Sequence, residues 1–443
     1  MSGVRITGAT AAEIAASIRD LVGAGELRPG DTVPPIRDLA QRLGVHRNTV
    51  AVAYRALVGA GLAETRGRGG THIREVPRFP DETVPQTAEP EHPLPGLVDL
   101  SSGNPDPALL PDLSAAIARL DYRTQLYGSP AVDGRFAAWA RESMAAAVTQ
   151  PLSISVTHGA VDAVDRLLTA HLTRGDLVAL EDPCFYASEG TVRVNGLRAI
   201  PVDLDTSGMR ADALRTALNA GARAVIVTPR AHNPTGVSLT AERADELRVL
   251  LAGFPHVLVI EDDHFSAVSR RPYRRITPPS TRHWALVRSV AKFLGPDMRV
   301  AAVGSDPTTA ELLSTRLRPG ATWVSHLLQQ VAAELLTAPD APVLFRRARS
   351  AYARRTDALR DALAAVGVET PFPTDGLNAW IPVPRDSGPV VASLARAGWS
   401  VRDGSSFRTR AVADGRHGIR VTAARLTARD AWTFAAAVAR ALD

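Results

Sequence analysis

The chain has 443 residues and 51 Lys plus Arg, of which only one, Lys292, is lysine. Arginine can replace lysine wherever only positive charge is needed, but a guanidinium is not a usable amine nucleophile. The one exception in an otherwise all-arginine chain makes Lys292 a candidate for covalent chemistry through its amine. Cysteine is as scarce. Cys184 stands alone, which excludes an intrachain disulfide and fits a reducing compartment. No apolar run approaches the length of a bilayer. The N-terminus, MSGVRITGATAAEIAASIRD, lacks an apolar core followed by a small-residue cleavage site. Neither a membrane span nor a signal peptide is read, and the expected location is the cytoplasm. No low-complexity tract and no metal site are read either.

What is present is a globular composition, 45% hydrophobic and 22% charged, in a chain long enough for one small and one large domain. The net charge of +5 is modest, but its distribution is informative. Residues 36–74 hold seven arginines (37, 42, 47, 55, 66, 68 and 74) against Asp38 and Glu64, so this segment alone carries as much net charge as the whole chain. Such local basicity is what binding to a phosphate backbone requires.

The same region has a helical rhythm. Ile14, Ile18, Leu21 and Val22 share one helix face, and Gly23 and Gly25 end it. Ile36 to Leu43 predicts a second short helix, Gly44-Val45-His46 a turn, and Arg47 to Val58 a third helix with Val50, Tyr54, Leu57 and Val58 inward. Two strand-like pieces then flank Gly67-Arg68-Gly69-Gly70, which predicts a hairpin with a basic tip. The segment RPGDTVPPIRDLAQRLGVHRNTVAVAYRALVGAGLAETRGRGGTHI resembles the GntR family of winged helix-turn-helix regulators. The resemblance implies Arg37, Arg47 and Thr49 as contacts to double-stranded DNA, with the Arg68–Gly70 tip in the minor groove. Pro35 departs from the family's usual Ser at the helix start, although proline at a first turn is compatible with a helix.

Residues 75–96 contain six prolines and few large apolar side chains, and read as an extended tether. The expected organisation is therefore a winged helix-turn-helix over 1–75, a proline-rich linker over 76–97, and a large domain over 98–443.

Beyond the linker the chain alternates strand-like and helix-like pieces. VDAVDRLLTAHL reads as a helix, LVALEDP, RAVIVTP and HVLVIEDD as buried strands, and AERADELRVLLAG as a helix between the last two. This predicts an α/β fold with a mostly parallel sheet and a site at the strands' carboxyl ends. Polar strings fall at those ends. THGA (157–160) precedes a helix, where backbone N–H groups suit a phosphate. EDPCF (181–185), HNPTG (232–236) and EDDHF (261–265) each follow a strand, and SVAKFLGPDMR (289–299) carries Lys292.

That ordered set resembles the fold type I aminotransferases from about residue 98 to the C-terminus, with a large part over about 130–335 and a smaller α+β subdomain from the remainder. With the head in front, the whole chain resembles the MocR/GabR-type regulators. The resemblance implies pyridoxal 5′-phosphate (PLP) as cofactor, held by Lys292 as the internal aldimine, with Asp262 on the pyridine nitrogen. Asn233 would meet the ring hydroxyl and Phe185 would stack on the ring. Gly159, Ala160, Ser289 and Arg299 would hold the phosphate, and Arg420 in GIRVTAARL would hold an effector carboxylate. Tyr127 would reach the phosphate of a partner subunit, which implies a homodimer. His264 replaces the family's usual tyrosine beside the ring hydroxyl, and is expected to donate in its place.

EDDHF followed by ALVRSVAKFLGPD looks closest to the branch that senses vitamin B6 and controls pyridoxal kinase expression. The expected function is transcription regulation with PLP, or an amino-compound aldimine of it, as effector. The alternatives are an active aminotransferase carrying a DNA-binding head, and a regulator that has lost PLP. A head of this kind has no evident use in a metabolic transaminase, and Lys292 argues against lost cofactor binding.

Overall fold

The computed structural model describes residues 5–65, 69–74, 96–384, 386–409 and 417–442. The chain divides into two compact units, Met1–Arg78 and Phe79–Asp443.

In the smaller unit, three helices, Ala11–Gly23, Ile36–Leu43 and Arg47–Gly59, surround a core of Ile14, Ile18, Leu39, Val50, Tyr54 and Leu57. The first helix starts with a capping box: Thr10 accepts from Glu13 N and the Glu13 carboxylate reaches back to Thr10 N. The second helix starts after Pro35 without a side-chain cap and ends on Gly44, whose φ of 66° is the left-handed conformation that glycine adopts without strain. Two short strands, Ala63–Thr65 and Thr71–Ile73, pair antiparallel after the third helix. The turn before the second helix joins them, with Gly30 N donating to Ile73 O at 2.9 Å and Val33 N to Thr71 O at 2.9 Å. Arg68 lies outside the described residues.

The larger unit is built on an eight-stranded sheet. Across it the order is Ser153–Thr157, Ala301–Ser305, Trp284–Ser289, Leu258–Asp262, Ala222–Val227, Leu177–Asp182, Arg198–Asp205 and Gly208–Met209. The run from Trp284–Ser289 to Arg198–Asp205 is parallel, and Ala301–Ser305 is antiparallel to both its neighbours. The central strands are nearly all apolar because both faces are covered. Along Ala222–Val227, Val225 and Val227 enter one core while Ala224 and Ile226 enter the other.

A smaller subdomain follows, with an antiparallel sheet of Asn378–Val383, His417–Thr422 and Arg402–Asp403 and its own core around Ile381, Ile419 and Phe434. The segment that opens the larger unit belongs to this subdomain. Val98–Asp99 pairs in parallel with Trp399–Ser400, so the small part takes strands from both ends of the unit rather than from the C-terminal remainder alone.

Candidate functional site

Five parallel strands end on one edge of the sheet, at Thr157, Asp182, Val227, Asp262 and Ser289, and the loops after them carry the polar strings. Ala301, the first residue of the antiparallel strand, pairs with both Thr157 and Ser289, which brings Arg299 to the same edge.

Lys292 is the second residue of the short helix Ala291–Leu294. Its Nζ donates to Gly103 O at 2.8 Å and stands 6.0 Å from the centre of the Phe265 ring. Phe265 packs on His264, whose Nδ1 is 3.0 Å from Asp262 Oδ2. The other oxygen, Asp262 Oδ1, is buried and has no hydrogen-bond partner. A buried carboxylate oxygen needs a donor, and a protonated pyridine nitrogen is one.

Asn233 is buried and joined to Pro234 by a cis peptide bond, and its Oδ1 accepts from Arg420 Nη1 at 3.3 Å. That commits the Asn233 oxygen as an acceptor and leaves its amide N–H₂ as the side chain's donor. Arg420 is fully buried, stacks on Phe407 at 5.0 Å and donates through Nη2 to Ser101 O. Phe185 caps the helix Tyr186–Val194 with its ring against Tyr186, and Tyr186 in turn packs on Phe407. The Arg420, Asn233 and Phe185 positions thus belong to one contiguous set of contacts.

The anion cradle forms at the start of the helix Ala160–His171. Gly159 caps it at φ 92° with no side-chain cap, so first-turn N–H groups, including that of Ala160, lack acceptors within the helix. A Cβ on Gly159 would sit 3.2 Å from Arg299 Nη2, and the same guanidinium donates to His158 O at 3.1 Å. Ser289 is buried nearby, its Oγ accepting from Ala291 N at 3.3 Å. Backbone donors, an arginine and a hydroxyl at a helix N-terminus fit a phosphate. The residues therefore fit PLP at both ends of the molecule, the ring nitrogen and the phosphate.

Behind the edge lies a pair for which the sequence carried no signal. Glu181 Oε2 and His232 Nε2 are 3.4 Å apart and both buried. Burial pushes the Glu181 carboxyl up to about 8 despite the hydrogen bond from Thr228 N, and burial with the neighbouring His264 pushes His232 down to about 3. Both shifts favour the uncharged forms, so burial works against a salt bridge between the two.

Tyr127 stands apart from these groups. It is 91% exposed and touches Trp323 with ring centres 5.5 Å apart. In the smaller unit Arg37 and Arg47 are exposed and Thr49 is half-buried at the third helix's N-terminal end. Gly70 is exposed at φ 87°. His72 was not anticipated. Its Nε2 lies 2.8 Å from Gly69 O and its Nδ1 3.1 Å from Thr32 Oγ1, tying the hairpin to the turn before the second helix.

Known proteins resemble this chain in family and fold. Residues 95–438 match the family "Aminotransferase class I and II", and residues 10–73 match "Bacterial regulatory proteins, gntR family". The chain is 46% identical over 438 residues, 99% of its length and 100% of the relative's, to the vitamin B6 salvage pathway transcriptional repressor PtsJ of Salmonella typhimurium. It is 28% identical over 402 residues, 88% of its length and 86% of the relative's, to the pyridoxine biosynthesis transcriptional regulator PdxR of Corynebacterium glutamicum. Among solved structures, Pyrococcus horikoshii kynurenine aminotransferase superposes with a TM-score of 0.70 at 20% identity, covering 79% of this chain and 91% of that one, a likeness of fold.

Proposed function

Because the chain belongs to the aminotransferase class I and II family and carries a gntR-family regulatory domain ahead of it, we propose that it is a transcription regulator whose DNA affinity is set by PLP, alone or with an amino compound, in vitamin B6 salvage. The observation that carries this reading is the full-length likeness, at 46% identity, to a vitamin B6 salvage repressor. It is supported by the sole lysine, on the short helix at the same sheet edge as Asp262, and by the buried, unpartnered Asp262 Oδ1.

Bound PLP supplies an aldehyde that an amine can capture and a ring that withdraws electrons. Lys292 is the amine that holds it. Asp262 keeps a proton at the ring nitrogen through Oδ1. Gly159, Ala160, Ser289 and Arg299 hold the phosphate. Asn233 donates to the ring oxygen and Phe185 covers a ring face. Arg420 presents a planar, bidentate donor to an effector carboxylate. In the head, Arg37, Arg47 and Thr49 meet the operator, with the Arg68–Gly70 hairpin tip beside them. Effector and DNA then change each other's affinity by the same factor.

The protein acts as a homodimer in the bacterial cytoplasm, where its DNA lies. Tyr127 at 91% exposed and Leu126 at 71% are apolar surface that a second copy would cover. No helix among the described residues is long and apolar enough to cross a membrane.

The test is the visible absorption spectrum of the full-length protein with added PLP, before and after borohydride, with peptide mapping of the reduced product. A yellow band that becomes fixed on Lys292 supports the reading. A protein that takes up no PLP overturns it.

A further inference from the structure

Lys292 and Arg420, two of the side chains assigned to the ligand, both end on one short stretch of backbone. Lys292 Nζ donates to Gly103 O at 2.8 Å and Arg420 Nη2 donates to Ser101 O. Gly103 is buried between them in the left-handed region, φ 69°, and a Cβ there would lie 3.4 Å from Arg420 Nη1. The positive φ is what favours glycine here, since the Arg420 guanidinium would meet an added Cβ only at van der Waals distance, and the Gly103 carbonyl accepts from the lysine.

The stretch is fixed firmly at its two ends. Leu100 N donates to Ser400 O at 2.8 Å and Thr422 N to Leu100 O at 2.8 Å. At the other end, Tyr352 Oη is 3.1 Å from Asp106 N and Arg355 Nη2 is 2.9 Å from Asp106 Oδ2. The middle is held at Ser101 by hydrogen bonds from its N and Oγ to Asp99 Oδ1 at 2.8 and 2.9 Å and from Ser400 Oγ at 3.2 Å, and at Gly103 by Lys292, by the Arg420 guanidinium beside it and by a hydrogen bond from its N to Thr422 Oγ1 at 3.1 Å. Beside it opens a cavity of about 580 Å³ whose lining includes Asp99, Ser102, Asn104, Pro105, Thr422 and Arg425. Close-packed backbone has no room to shift, but this stretch has room on one side.

We propose that residues 101–104 are a strap that reads occupancy of the Lys292 site, with Gly103 as its positioning residue: a ligand that takes the lysine amine frees the strap. The inference rests on the reading that Lys292 captures PLP. When the amine condenses with an aldehyde, a C=N bond forms at Nζ. Water leaves with the aldehyde oxygen and two amine protons, and the nitrogen then holds at most one proton, in a direction fixed by the double bond. The bond to Gly103 O is lost. An effector carboxylate on Arg420 competes with Ser101 O in the same way.

Hydrogen–deuterium exchange of the full-length protein, with and without PLP, reads the strap directly in peptides spanning 98–108. Exchange there is expected to rise several-fold on loading. Lys292→Ala is expected to show the raised level without PLP and no further change with it. Unchanged or slower exchange, in protein whose Lys292 is shown by borohydride mapping to be loaded, overturns the strap. Failure of Lys292 to load overturns the underlying reading instead. Gly367 supplies the control, since its φ of 78° imposes the same backbone strain on an added Cβ but nothing lies within 4 Å of it. Gly103→Ala is expected to shrink the PLP-induced difference, whereas Gly367→Ala leaves it at the wild-type value. Equal behaviour of the two variants removes Gly103 from the role.

Discussion

His264 Nδ1 lies 3.0 Å from Asp262 Oδ2, and this contact sets how the imidazole can serve a ring beside it. A carboxylate oxygen accepts, so Nδ1 carries the proton and the neutral ring's Nε2 is an acceptor. The sequence led to the expectation that His264 donates to the ring hydroxyl in place of tyrosine. With Nδ1 committed to Asp262, donation from Nε2 requires the imidazolium. Installing a phenol donor, His264→Tyr, should therefore stabilise the ionised ring oxygen. The pH midpoint of the visible band of PLP-loaded protein is expected to fall by about 1–2 units, the size of a hydrogen bond to a charged group. A spectrophotometric pH titration checks this, and an unmoved midpoint would show that position 264 does not face the ring oxygen.

Lys292→Ala separates sensing from DNA binding. Lys292 is the half-buried second residue of a four-residue helix, so the variant is expected to fold and to bind its promoter DNA as the wild type does. The wild-type response to PLP should be a change in DNA affinity within the usual coupling range of about 5- to 150-fold, and the variant should lose it. Fluorescence anisotropy with labelled promoter DNA measures both, and a response retained in the variant disproves capture through this amine.

Arg47→Ala probes the other unit. Arg47 is the exposed first residue of the third helix. Its loss is expected to weaken DNA binding by about 1–3 kcal/mol if it reads a base, or to lower the salt-dependence slope by about one if it meets a phosphate. PLP uptake should be unaffected. Loss of PLP binding in this variant would contradict two separable units.

Glu181 and His232 predict a pH dependence of stability. The folded-state pKa of Glu181 is raised from 4.5 to about 8 by burial, so the native state holds a proton that the unfolded chain has released. Its contribution is complete below pH 4.5 and is lost as pH rises toward 8. His232 is lowered from 6.5 to about 3, so its contribution is present above pH 6.5 and is lost as pH falls toward 3. Glu181→Gln keeps a neutral group of the same shape and removes the first slope. Its Tm relative to wild type is expected to climb between pH 5 and 8, by up to about 1.4 kcal/mol per pH unit in stability. A constant difference across that range would mean that Glu181 is ionised in the native protein.

Much of this was legible in the chain itself. The strands at LVALED, RAVIV and LVIED and the helix-turn-helix rest on local periodicity and on glycine and proline at turns, and each formed within a residue or two of its expected limits. Lys292 was marked by a composition that spared one lysine. The Glu181–His232 pair and the His72 contacts left no such trace, because a buried acid or a strand histidine reads the same in sequence whether or not its partner is near.

The sequence by itself determined the two-part architecture, the order of the polar strings along the chain and the identity of the one amine, since these follow from side-chain period and chemical type, whereas the order of those strings along the sheet edge was set by the strand topology. Only the tertiary structure decided that Asp262 gives one oxygen to His264 and leaves the other open. It also decided that the strand opening the larger unit belongs to the small subdomain, and that Gly103 meets a lysine 189 positions later. Those contacts join residues distant in the chain, and their geometry is set by how sheet and subdomain pack, which no local pattern encodes.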